Sequence, residues 1–244
     1  MKELEKEIRL RVSECDVNTL WRPGAMLTEM QEAAGEYCDI AGCGREALVR
    51  QGIAWVVARM ALRIERYPRM GEMIRLRTFH RPVRHRFFPR YYELRDGNGQ
   101  LLVQASSLWL LMDLETRQSV AADRLPVPLS DNRDMPELMP LPGNIPQLDA
   151  PETVIPWQAQ YTDLDPNGHV NNTKYVDWLC NALGIETMRS HRIDNLLIHF
   201  NSEILPGQPV ELRLRREGER FQLSGLREGQ VAFEMGGSLT QGES

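Results

Sequence analysis

The 244-residue chain carries a net charge of −5, with 42% hydrophobic and 26% charged residues, ordinary globular proportions that indicate neither a disordered nor a membrane-embedded chain. The acidic total argues against nucleic acid as a principal partner. No apolar run approaches the roughly 20 residues of a membrane-spanning helix, and the charged N-terminus MKELEKEIRLRV lacks the apolar core of a secretion signal.

Taken in chain order, residues 5–15 predict a strand, because Ile8, Leu10 and Val12 alternate with Glu7, Arg9 and Arg11. After a loop through Trp21, Pro23 and Gly24, the apolar residues Leu27, Met30, Ala34 and Tyr37 recur at helical spacing, and Thr28 with Gln31 has the form of a capping box. From 53 to 112 the pattern is an antiparallel meander, with strands over 54–66, 72–80, 87–95 and 101–112 and a hairpin turn at Asp96-Gly97-Asn98-Gly99. Residues 122–156 then hold Pro126, Pro128, Pro136, Pro140, Pro142, Pro146, Pro151 and Pro156, eight of the chain's 15 prolines, and read as an irregular linker. Beyond it the order recurs: a strand over 157–161, a polar loop, a helix, and strands near 194–204, 208–216, 219–227 and 230–240. The segment from Met70 to Leu76 lines up with that from Pro206 to Leu212, so one unit is present twice, over 1–121 and 157–244. Four scattered cysteines, Cys15, Cys38, Cys43 and Cys180, form no CxxC pair and fit reduced thiols in a cytoplasm.

Chemistry concentrates in 161–184. Asp165, Asn167 and His169 stand within five residues, spaced by the turn formers Pro166 and Gly168. Val176, Leu179, Cys180 and Leu183 follow as one apolar helical stripe with Gly184 as its stop, and Asn171 or Asn172 is a natural N-cap. Backbone N–H groups at such a helix start suit an oxygen that becomes negative during a reaction, which makes acyl transfer a candidate chemistry. His199 and Glu203 share a helical spacing but fall on a predicted strand with no third ligand, so no metal site is expected. Neither a GxSxG elbow nor a phosphate-binding glycine loop is present.

Several separate segments resemble the acyl-acyl carrier protein thioesterases, the plant chain-release enzymes and their bacterial relatives. They are Trp55-Val56-Val57-Ala58-Arg59-Met60 with Tyr67-Pro68, then Asp163-Leu164-Asp165-Pro166-Asn167-Gly168-His169-Val170-Asn171-Asn172 with Tyr175 and Trp178, and finally Glu203. The resemblance implies an α+β tandem hotdog fold, each unit a long helix wrapped by an antiparallel sheet, and hydrolysis of fatty acyl-acyl carrier protein without a cofactor. It also places Asp165, Asn167, His169 and Glu203 in the catalytic positions. Plant members carry a cysteine beside that glutamate; here Ile204 stands there, so the chemistry falls to carboxylate, amide and imidazole.

On this reading the acyl chain enters an apolar channel of the first unit lined by Trp55, Val57, Met60, Leu108 and Leu110, with its carbonyl near the N–H groups of Val170 and Asn171. The basic run from His80 to Arg90 is either a solvated turn or, through Arg81, Arg84, Arg86 and Arg90, a docking face for an acidic carrier protein. Because Leu20 and Arg22 stand near the equivalent places of the first loop, one active site per chain is expected. Alternatives are an acyl-CoA thioesterase, a non-catalytic acyl-binding hotdog protein or a dehydratase of the same fold. A homodimer is compatible with the sequence, which fixes neither oligomeric state nor chain length.

Overall fold

The structure is a computed structural model that describes residues 1–242. The first unit runs β1 (Leu4–Arg9), α1 (Pro23–Ile40), α2 (Arg45–Val49), β2 (Ile53–Ile64), β3 (Met73–His80), β4 (Phe88–Asp96), β5 (Leu101–Asp113) and β6 (Ser119–Val120). The second repeats the plan with β7 (Glu152–Gln158), α3 (Lys174–Leu183), α4 (Ile185–Ser190), β8 (His191–Phe200), β9 (Pro209–Glu217), β10 (Arg220–Arg227) and β11 (Gln230–Gln241). All strands join one sheet in the order β1-β3-β4-β5-β2-β8-β11-β10-β9-β7, with β6 added to β5. The fold is therefore two hotdog units fused edge to edge: β2 of the first pairs antiparallel with β8 of the second, Arg59 opposite His199 through Arg63 opposite Asn195.

Local chemistry explains most element ends. Pro23 opens α1 because proline has no N–H to lose at a helix start and its φ is already helical. Thr28 therefore sits inside the helix and caps nothing. Its hydroxyl donates to Gly24 O and touches the Thr173 hydroxyl at 3.2 Å, binding the second turn of α1 to the N-cap of α3. The first strand ends at Arg9 rather than 15, since a 3-10 turn over Val12–Glu14 forms instead, with Glu14 accepting the Arg11 N–H. In the second unit β7 opens at Glu152, inside the proline-rich stretch, where pairing with β9 satisfies its backbone. The hairpin at Asp96 is as expected, the carboxylate accepting the N–H groups of Asn98 and Gln100. Gly71 and Gly207, at corresponding places in the two units, share φ of 79° and 78°.

The helices pack on one face of the sheet, burying Met26, Met30 and Tyr37 of α1 and Val176, Trp178 and Leu179 of α3. Tyr175 stacks on Phe233 at 4.3 Å between centroids, and Trp178 meets Tyr175 edge to face at 5.2 Å. The linker crosses to the other face. Ser106 donates to Pro140 O, His199 Nε2 lies 2.8 Å from Gly143 O, and Arg215 donates to Leu148 O.

One close approach gives a stability test. A Cβ on Gly237 of β11 would meet the backbone carbonyl of Asn195 at 2.0 Å, whereas one on Gly97 in the β4–β5 turn would meet nothing within 4 Å. Gly237→Ala is expected to lower the unfolding free energy by about 1–3 kcal/mol and Gly97→Ala to leave it within about 0.5 kcal/mol, as read by urea denaturation.

Candidate active site

The loop between β7 and α3 is built around the carboxylate of Asp165. Its Oδ1 accepts the Asn167 N–H at 2.8 Å, its Oδ2 accepts the Asn167 amide at 3.2 Å, and its own N–H reaches His169 O at 2.9 Å. Gly168 takes φ 81°, the left-handed value that closes this turn and turns His169 back toward Asp165. His169 Nδ1 then lies 3.5 Å from Asp165 Oδ2, and Nε2 lies 3.8 Å from Glu203 Oε2. These separations are looser than hydrogen bonds. All four expected side chains meet at one point.

Glu203 is not on a strand. Strand β8 stops at Phe200, where the N–H groups of Asn201 and Ser202 both turn to Ala232 O, and Glu203 occupies the connection to β9. That connection is anchored to the loop, because Val170 N donates to Ile204 O at 2.9 Å. Its carboxylate is not isolated in apolar surroundings either: Oε2 accepts from Arg117 Nη2 at 2.5 Å, and Arg227 holds the Glu203 carbonyl at 2.8 Å.

The expected backbone donors are already used. Val170 N is bonded to Ile204 O and Asn171 N to Asp163 O at 2.8 Å, so neither faces a substrate. Asn171 instead works through its side chain, which accepts the Thr173 N–H and hydroxyl ahead of α3. The Asn172 N–H makes no hydrogen bond among the described residues, and Asn172 lines the cleft beside Gln31 of α1. Asp163, whose role the sequence did not reveal, is buried and takes the Trp178 indole N–H at 3.2 Å, fixing the loop to the helix it precedes.

A cleft of about 1400 Å³ runs from Asp165, His169 and Glu203 into the first unit between α1 and the sheet. Trp55, Val57, Phe88 and Trp109 line it; Met60 lines a small void beside it together with Leu27 and Trp109. Leu108 and Leu110 do not line it. Strand alternation puts them on the face shared by Ser106, toward the linker, and puts Trp109 in their place.

The basic run divides. Arg81 donates to the carbonyls of Asn132, Arg133 and Met135, Arg84 pairs with Glu137, and Arg86 bonds Ser119, so the chain supplies hydrogen-bond acceptors to all three, though only Arg81 and Arg84 meet a carboxylate. Arg90 cannot belong to a docking face. It is 5% exposed, lines the cleft, lies 4.6 Å over the Tyr37 ring and reaches Cys38 Sγ at 3.8 Å. Nearby, burial and the Arg90 charge hold the His80 imidazole down at about 4, while contact with Cys43 and then Arg90 bring the Cys38 thiol to about 7.

The first unit repeats the loop without the chemistry. Asp16 Oδ1 accepts Asn18 N at 2.8 Å, Asp16 N reaches Leu20 O, and Trp21 N donates to Pro68 O just as Val170 N does to Ile204 O. Leu20 thus stands in the His169 place and Tyr67 in that of Glu203. Burial pushes the Tyr67 phenol well above its ordinary range, and it donates to Ile193 O.

Two hotdog units, with a polar loop at the mouth of a cleft that carries both aromatic and charged side chains, define the class of fold. The sequence matches the acyl-ACP thioesterase N-terminal domain over residues 2–124 and the C-terminal domain over 148–235, and the chain belongs to that family. It is 25% identical over 198 residues to a palmitoyl-acyl carrier protein thioesterase of Cuphea hookeriana, covering 73% of this chain and 46% of that protein. Over 169 residues it is 27% identical to oleoyl-acyl carrier protein thioesterase 1 of Arabidopsis thaliana, covering 62% of this chain and 45% of the relative. The chain spans about half the length of these curated relatives. An acyl-ACP thioesterase from Bacteroides thetaiotaomicron superposes with a TM-score of 0.89 at 20% identity, covering 98% of both chains. The 12:0-ACP thioesterase of Umbellularia californica gives 0.80 at 19% identity, again over 98% of both, and these two likenesses show the shared fold. No helix among the described residues is long and apolar enough to cross a membrane.

The His80 environment sets a pH dependence. Its folded pKa lies below the unfolded value, so the stability tied to the neutral ring is present above about pH 6.5 and is lost as pH falls toward 4. Unfolding free energy should drop on the order of 2 kcal/mol between pH 6.5 and 5, and His80→Asn should flatten that slope in parallel denaturation curves.

Proposed function

We propose that this chain is a thioesterase that releases a fatty acid from acyl carrier protein. The observation that supports it best is the imidazole of His169 set between Asp165 and Glu203 at the mouth of a cleft whose Trp55, Val57, Phe88 and Trp109 offer an apolar wall to an acyl chain. Arg117 occupies Oε2 of Glu203, which leaves Oε1 as the free base. In the proposed reaction a water in the cleft beside Glu203 gives its proton to Oε1 while its oxygen attacks the thioester carbonyl. The carbonyl oxygen, now negative, is held by the Asn172 N–H, and Gln31 is the nearest side-chain amide on α1 able to add a second donor. Collapse breaks the C–S bond; the proton held by the site passes to the sulfur, yielding free acid and carrier thiol. Asn167 and Asp165 keep His169 in place.

The carrier protein is the favoured partner over coenzyme A because both units match the acyl-ACP thioesterase family. A dehydratase reading would use a histidine–carboxylate pair on a hydroxyacyl chain, and product analysis separates the two. A non-catalytic acyl-binding protein would need neither Glu203 nor its arginine. The test is hydrolysis of acyl carrier protein thioesters. Asp165→Ala, Asn167→Ala, His169→Ala and Glu203→Ala should each lose on the order of a hundredfold or more in kcat/KM, and wild-type rates for all four would remove the assignment. Trp109→Ala should shift the acyl-length profile of released acids, read by mass spectrometry, while Leu108→Ala should leave it unchanged.

A further inference from the structure

We propose that Arg117, contributed by the first unit, is a positioning residue for the catalytic carboxylate of the second; this rests on the thioesterase reading above. Arg117 sits at the tip of the β5–β6 hairpin, 86 positions before Glu203 in the chain, and donates to its Oε2. The same oxygen is the one nearest His169 Nε2. Arg117 thus aims Glu203 so that one carboxylate edge meets the imidazole and the other faces the cleft.

The hairpin fixes the backbone from which this contact is made. Arg117 holds a φ of 58°, a left-handed conformation that a side chain with a Cβ adopts at a cost. The turn that imposes it is tightly tied: Asp113 Oδ1 accepts the N–H groups of Glu115 and Thr116, and Arg117 N donates to Asp113 O. Folding alone gives little reason for such a contact, because the Arg117 side chain is 49% exposed and ion pairs this open to water contribute little to stability. A second contact of the same kind lies alongside, where Arg45 of α2 donates to Asn167 Oδ1 at 3.2 Å. The first unit therefore does more than hold the acyl chain.

The role is tested in the full chain with Arg117→Gln, Arg117→Lys, Glu203→Gln and the Arg117→Gln/Glu203→Gln double variant, each assayed on an acyl carrier protein thioester and on the corresponding acyl-pantetheine thioester. Arg117→Gln should lower kcat roughly tenfold or more on both substrates with KM little changed, and Arg117→Lys should recover part of the loss. The double variant should be no slower than Glu203→Gln alone, since the arginine acts only through that carboxylate. A rise in KM confined to the carrier substrate would make Arg117 a docking residue and overturn the proposal. Losses that multiply in the double variant would also overturn it. A wild-type chain that turns over neither substrate would overturn the thioesterase reading itself, a result distinct from either of these.

Discussion

The antiparallel pairing of β2 with β8 is the contact on which the rest of the molecule depends. A hotdog unit alone leaves one edge of its sheet with unpaired N–H and C=O groups, and joining two such edges satisfies both. The join also fixes where the two helices meet. Thr28 and Thr173 touch across the seam, so the start of α3 faces the N-terminal half of α1. From that one placement follow the position of the cleft, which belongs to the first unit, and of the polar loop at its mouth, which belongs to the second.

Duplication makes the chemistry easy to isolate, because the two loops share a backbone and differ in side chains. Asp16 and Asn18 reproduce the backbone N–H to carboxylate bond of Asp165 and Asn167, although the Asn18 amide turns to Met188 O, so that pair by itself is a way of folding a turn. What the first copy lacks is an imidazole and a carboxylate, replaced by Leu20 and Tyr67. The second copy holds His169 and Glu203 together with two arginines borrowed from its neighbour. The imidazole–carboxylate pair therefore occurs in the second loop and not in the first, and the two units contribute different side chains around it.

Charge is handled differently at the two ends of the cleft. At the mouth, Arg117 and Arg45 are partly exposed and donate to Glu203 and Asn167. Deeper in, Arg90 is buried beside Tyr37, Thr78 and Cys38, and among the described residues it meets no carboxylate. A guanidinium in that setting depends on an aromatic face and neutral acceptors, which also explains why a neutral His80 is favoured next to it.

Local sequence was enough for whatever depends on near neighbours. The Asp165-Pro166-Asn167-Gly168-His169 turn, the α3 stripe, the Asp96 hairpin and the repeated order of elements are short-range patterns that the structure keeps, although the strands expected over 5–15 and 157–161 form instead as Leu4–Arg9 and Glu152–Gln158. Four readings needed the tertiary fold. The uninterrupted apolar run from Leu108 to Met112 carries no alternation, so only pairing showed that Trp109 faces the cleft and Leu108 and Leu110 do not. Arg90 reads as surface because it is charged, yet strand parity turns it inward. Val170 and Asn171 offer N–H groups in sequence that Ile204 and Asp163 take in space. Arg117 looks like any turn arginine until the β2–β8 seam brings Glu203 to it, because a contact between positions so far apart leaves no periodicity for a sequence to display.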